Sequence, residues 1–343
     1  MYYLSYPTIF AIPFLAVLIG NLFLWQNPFI GAILLIIYLI HYGCALGTRV
    51  LSHEHRIFQT GFGIFALLSC WIIIGSIAFY VAFVPKDFFV IVGILSIPIL
   101  ELIRRPTPRA PWNHHDLWTA ARRQIQSNVW LVSSLIMIAL AMIFIVVGQH
   151  PITESIRSVW ERLPPEIFVV LFGNFLLLFI LIVRGKNRAL LLPLVMATLF
   201  AVVSIALFVF PIGFGFDAFI HRATESYLAQ YASISPKPFY YIGQYVLVLL
   251  AHHLFSIPID LADRLLLPTL VSAIVPLAWY FASAHLTRSR LCAAASWIFL
   301  FFLPLSSFIV TTPQGLGNLW VLLIILFNID TFHTPTSNRW IAI

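Results

Sequence analysis

Ten mostly apolar stretches follow one another along the chain with only short polar breaks between them, at residues 8–25, 27–47, 61–84, 88–103, 128–147, 167–183, 189–210, 265–284, 291–310 and 316–331. Most are about as long as a helix must be to cross a hydrocarbon core of ~30 Å, and a helix satisfies its own backbone hydrogen bonds there. Only 9% of the 343 residues are charged and 61% are hydrophobic. A water-soluble domain carries about 25% charged residues, so this chain cannot hide its apolar surface in one aqueous core. The expected architecture is all-α: a polytopic transmembrane helical bundle of about ten spans.

The loops set an expected direction. Arg104, Arg105, Arg109, Arg122 and Arg123 crowd one loop, and Arg184, Lys186 and Arg188 another. Short loops rich in Lys and Arg stay in the cytoplasm. Two spans separate these loops, so both can face the same side. The N-terminus is then cytoplasmic, and the run ending at Phe210 delivers residues 211–264 to the outside of the plasma (inner) membrane. The first apolar run has no basic segment before it and no small-residue cleavage site after it, so it is expected to be a retained span. The net charge of +7 sits in these loops, a pattern that suits anionic headgroups rather than nucleic acid. Cys44, Cys70 and Cys292 lie in apolar runs at unrelated spacings, which is neither a disulfide framework nor a metal-ligand pattern.

Residues 240–255 are apolar but short, and they carry His252 and His253. A second feature is a weak polar stripe of Tyr241, Gln244, Tyr245, Val248 and His252 at three- and four-residue spacing. Together these favour a helix lying in the membrane interface within the large outer loop over a further span. No tandem repeat stands out. A soft boundary near residue 188 divides an N-terminal membrane region, 1–188, from a region 189–343 that carries the outer loop 211–264.

That loop holds the chemistry. Pro211, Gly213 and Gly215 break the preceding helix, and Asp217 is a suitable cap for a new one. Asp217, His221 and Glu225 then recur every four residues on one face, while Phe219, Ala223 and Tyr227 face the membrane surface. Such a trio can do general acid/base work or hold a divalent cation, and capping alone also explains the aspartate. Pro236 and Pro238 hold Lys237 extended beside Tyr240 and Tyr241. A lysine so presented either snorkels to the headgroups or contacts a lipid phosphate.

These residues resemble the first outer loop of the GT-C membrane glycosyltransferases, which include the protein mannosyltransferases and the aminoarabinose transferases. The likeness rests on Asp217, on Pro236-Lys237-Pro238-Phe239-Tyr240-Tyr241 and on Ala262-Asp263-Arg264-Leu265, within about residues 190–331. The resemblance implies transfer of a sugar from a polyprenyl-phosphate donor to an extracytoplasmic acceptor, which could be a glycan, a lipid or a protein. It implies a catalytic role for Asp217, with His221 and Glu225 in support. Lys237, Tyr241, Arg264 and Gln314 are then the substrate-binding set. No cofactor or metal is required, and a divalent cation is optional. A non-catalytic transporter, flippase or scaffold for lipid-linked glycans is the alternative.

Other constellations are weaker. His53-Glu54-His55 and His114-His115-Asp116 place histidines adjacent or two apart, on different faces of any helix, and solvated loop histidines explain them more simply than a metal does. No glycine loop for nucleotide phosphates and no paired nucleophile and base occur.

Overall fold

The computed structural model describes residues 7–52, 54–103, 128–154, 156, 158–184, 188–237 and 241–333. Every regular element among them is helical. The basic loop 104–127, with His114-His115-Asp116, and also His53 and Lys186, lie outside the described residues. The helices are α1 (Pro7–Gly20), α2 (Pro28–Val50), α3 (Arg56–Val81), α4 (Lys86–Ile103), α5 (Asn128–Gln149), α6 (Glu166–Arg184), α7 (Arg188–Val209), α8 (Asp217–Tyr231), α9 (Ile242–Phe255), α10 (Ile259–Thr287), α11 (Arg290–Ala295), α12 (Trp297–Leu300) and α13 (Pro313–His333).

Among the described residues six segments are long and apolar enough to cross a membrane: Pro28–Val50, Arg56–Val81, Val129–Gln149, Glu166–Arg184, Leu190–Val209 and Ile259–Thr287. Large apolar side chains such as Phe29, Val81, Leu131 and Val169 stand on their outer surfaces. That is the expected exterior of a helical bundle whose solvent is lipid. The chain is a multi-pass membrane protein built from helices.

Four of the ten expected spans, 8–25, 88–103, 291–310 and 316–331, are not among these six, and two expected segments take a different form. The stretch 291–310 breaks into α11, α12 and a 3₁₀ turn at Leu305–Phe308. Ser296 is drawn into side-chain bonding at the break, accepting from Trp279 Nε1 at 3.0 Å and donating to Ser283 Oγ at 3.0 Å, and Pro304 cannot continue a helix. The stretch 240–255, expected at the interface, is an interior helix instead. In α9 every residue except Gly243 and His252 is buried, and it packs against α2, α3, α4 and α8. An interfacial helix would leave one face open. This one is enclosed because Gln244 and Tyr245 on its stripe turn toward polar partners in the protein rather than toward headgroups.

The chain forms two compact units of interleaved segments, whereas the soft boundary near residue 188 divides it by sequence character. The first unit comprises residues 1–105, 215–267 and 310–321. Its tightest seam joins α2 to α3 through glycines. A Cβ on Gly63 would lie 1.7 Å from Gly43 O, and one on Gly47 would lie 1.6 Å from Gln59 O, so only glycine lets these backbones meet. Asn27 opens α2 as its cap, accepting from Phe29 N at 2.9 Å, with Pro28 at the first helical position. The second unit comprises 106–214, 268–309 and 322–343. In it α5 packs on α6 and α7, and α11 packs on α6. Its buried hydroxyls are satisfied locally: Thr198 and Ser204 each donate to the carbonyl four residues earlier, at 2.8 and 2.6 Å.

Candidate functional site

The polar helix of the outer segment, α8, starts after a left-handed glycine: Gly215 has φ 79°. Phe216 holds the cap position without a side-chain hydrogen bond, so Asp217 is the first helical residue rather than the cap, and it is exposed. Its negative charge still suits the positive end of the helix. Ala218, His221, Glu225 and Leu228 form the buried face, while Phe219, Ala223 and Tyr227 are exposed as expected.

The buried face is polar, and it meets polar partners from three other segments. His221 Nδ1 lies 2.8 Å from Tyr245 Oη of α9, and the Tyr241 ring stands edge-on to the imidazole at 5.2 Å. Glu225 is 0% exposed and accepts from Gln244 Nε2 at 2.8 Å. The same nitrogen lies 3.3 Å from Asp263 Oδ1 of α10 and 3.5 Å from the Thr311 carbonyl. Thr311 in turn accepts from Leu267 N at 3.2 Å through its hydroxyl, which fixes residues 310–312 against α10. Arg222 completes the ring. Its Nε donates to Asp263 Oδ2 at 3.1 Å and its Nη1 to Asp260 Oδ1 at 2.6 Å, while Arg264 Nη2 reaches Asp260 Oδ2 at 3.4 Å.

Burial sets the proton affinities. It pushes the Glu225 carboxyl well above the usual carboxylate range, and the neighbouring Asp263 carboxylate adds to the effect. It pushes the His221 imidazole below its ordinary value, against the opposing pull of the Asp217 carboxylate. The site therefore pairs an exposed acid with a neutral imidazole one turn away.

The expected site residues fall into three groups. His221, Glu225, Tyr241 and Arg264 belong to one network, with Asp217 at its exposed end. Lys237 is elsewhere in the same unit. Its ammonium donates to the carbonyls of Phe79, Tyr80 and Ala82 at 2.7, 3.2 and 3.0 Å, capping the C-terminus of α3 with all three of its protons. Gln314 is exposed in the first turn of α13. No group of three or more His, Cys, Asp or Glu side chains is arranged to hold a metal among the described residues.

Sequence reasoning missed Arg222, Gln244 and Asp263 as members of the site. Arg222 had a local signal, a cation set between His221 and Glu225. Gln244 and Asp263 had none, because their partners are 19 or more residues away. A second polar cluster was also missed. His41 Nε2 of α2 lies 3.1 Å from Glu101 Oε1 of α4, with Phe10 stacked on the imidazole at 3.9 Å. One turn away Tyr38 bonds Ser96 at 2.9 Å and accepts from Trp71 at 3.1 Å. No family model matches this chain, and no curated protein or solved structure is detectably similar to it.

Proposed function

We propose that this chain is a membrane glycosyltransferase that moves a sugar from a polyprenyl-phosphate donor to an acceptor glycan, lipid or protein on the outer face of the plasma membrane. The observation that carries the reading is the convergence of α8, α9, the start of α10 and Thr311 on one hydrogen-bonded network. These segments hold the sparse residues that resemble the outer loop of the GT-C enzymes. An exposed carboxylate, Asp217, stands one turn from His221 on α8.

In this reading the protein does little covalent chemistry. Asp217 accepts the proton of an acceptor hydroxyl as the oxygen attacks the sugar. The bond from the sugar carbon to the phosphate oxygen breaks, and its electron pair leaves with the lipid phosphate. His221, held by Tyr245, stands one turn from Asp217. Arg264, with a side chain 24% exposed, is the cation positioned to meet the phosphate as negative charge develops there. Tyr241 offers an exposed ring to the sugar. Gln314 is the acceptor-side candidate. Lys237 braces the loop against α3 and does not touch the phosphate. In this reading the N-terminus lies in the cytoplasm, and α8 and the start of α10 face outward, where a donor with its tail in the bilayer can present its headgroup.

The test uses the purified chain in proteoliposomes that contain a radiolabelled polyprenyl-phosphate hexose, with a native membrane fraction as acceptor. Label should leave the donor, and free polyprenyl phosphate should appear only when the chain is present. Intact donor after incubation with polyprenyl-phosphate glucose, mannose and aminoarabinose overturns the reading. Movement of intact donor between leaflets would instead identify a flippase.

A further inference from the structure

The glycosyltransferase reading gives Glu225 only a supporting part, yet its surroundings are the most unusual in the molecule. Five charged side chains meet there. Arg222 and Arg264 supply two positive charges, Asp260 and Asp263 two negative ones, and all four are joined by ion pairs. An ionised Glu225 would add an uncompensated charge at a position that is 0% exposed. Asp263 has a guanidinium beside it, at 3.1 Å. Glu225 has only the amide of Gln244.

The hydrogen bonds point the same way. Gln244 Nε2 has two protons and faces three acceptors: Glu225 Oε1, Asp263 Oδ1 and the Thr311 carbonyl. Its two protons cannot serve all three. Meanwhile Glu225 Oε2 and Gln244 Oε1 are both fully buried, and neither has a hydrogen-bond partner among the described residues. A buried acceptor with no donor costs about 1–3 kcal/mol, and more when it is charged. A proton on Glu225 removes the buried charge and converts one of the two orphaned acceptors into a donor.

We propose that Glu225 is a proton-binding site rather than a proton-transfer residue. It is a neutral carboxylic acid that brings the five-residue network to zero net charge and lets Gln244 hold Asp263 and Thr311 in place. Its neighbours are His221 and Arg222 on α8, Gln244 and Tyr245 on α9, Asp263 on α10, and the Thr311 carbonyl. Among these the Gln244 amide, through its hydrogen bond, and Arg222 favour the ionised form, and Asp263 and Asp260 already share that guanidinium. The upward shift of the Glu225 carboxyl by burial and by Asp263 has the same sense. The inference deepens the proposed function by making Glu225 a positioning residue. Its test does not depend on sugar transfer.

A carboxyl whose proton affinity is raised on folding stabilises the fold fully below its unfolded pKa, about 4.3, and that stability is lost as pH rises through the folded value. The full chain in detergent micelles is melted across the neutral and alkaline range as wild type and as Glu225→Gln. Gln is isosteric with the neutral acid. The variant should lose the alkaline decline of melting temperature and melt above wild type at the alkaline end. A variant that melts below wild type with the same decline overturns the proposal. If Glu225→Gln does not fold, ¹³C NMR of chain labelled at the glutamate carboxyl carbon, recorded on Glu101→Gln at neutral pH, gives the answer directly. A neutral-acid resonance supports the proposal, and a spectrum of carboxylates alone overturns it.

Discussion

The first unit buries charge in two places, and the two do it differently. Between α2 and α4 a single pair, His41 and Glu101, sits behind the stacked ring of Phe10, with both side chains mostly covered (18% and 10% exposed). Around α8 a network of five charges grades from Glu225, fully buried, to Asp260, whose side chain is 57% exposed, with Asp217 exposed beyond it. The sealed pair ties α2 to α4. A graded network can anchor a segment at its buried end and present a reactive group at its open end. In the proposed reading the chemistry belongs to the α8 network rather than to the His41–Glu101 pair.

The contrast can be broken by removing one partner at a time. The largest stability effect is expected for Arg222→Ala, which leaves the buried Asp263 carboxylate without its guanidinium. Breaking a buried pair from one side costs about 3–5 kcal/mol, so the melting temperature should drop well below that of wild type. His41→Ala removes one hydrogen bond to a charged group from the sealed pair, a loss of about 1.5–3 kcal/mol, and should leave sugar transfer by the surviving folded protein unchanged. A transfer defect out of proportion to the stability loss would merge the two clusters into one functional system. The smallest effect is expected for Lys237→Met. Losing the cap on α3 should cost about 0.5–1 kcal/mol in chemical denaturation. Affinity for polyprenyl phosphate, measured by equilibrium binding, should not change, since the ammonium is committed to three backbone carbonyls.

Much of the helical content was legible in hydropathy, because a helix in lipid needs only an unbroken apolar run. The start of α8 after the glycine neck was legible too, since Gly215 supplies a left-handed φ and Asp217 follows it. What failed was whatever depended on a distant partner. The polar stripe of α9 read as a face toward headgroups, because nothing near Gln244 in sequence announces Glu225, Asp263 and Thr311 as its neighbours. Lys237 between two prolines read as a phosphate contact, yet its acceptors are carbonyls 155 to 158 residues earlier. Glu225 read as a supporting group on the helix face that carries Asp217 and His221. Periodicity gave that face correctly and said nothing about how deep each position lies.

The central claim is that the open end of the network carries the reaction, and Asp217→Asn tests it most directly. The residue is exposed and makes no capping bond, so the variant should fold and melt within about 0.5 kcal/mol of wild type. Its transfer from a polyprenyl-phosphate hexose should fall about 100- to 10,000-fold, with donor binding retained. Transfer at the wild-type rate by a stable Asp217→Asn chain would contradict the account.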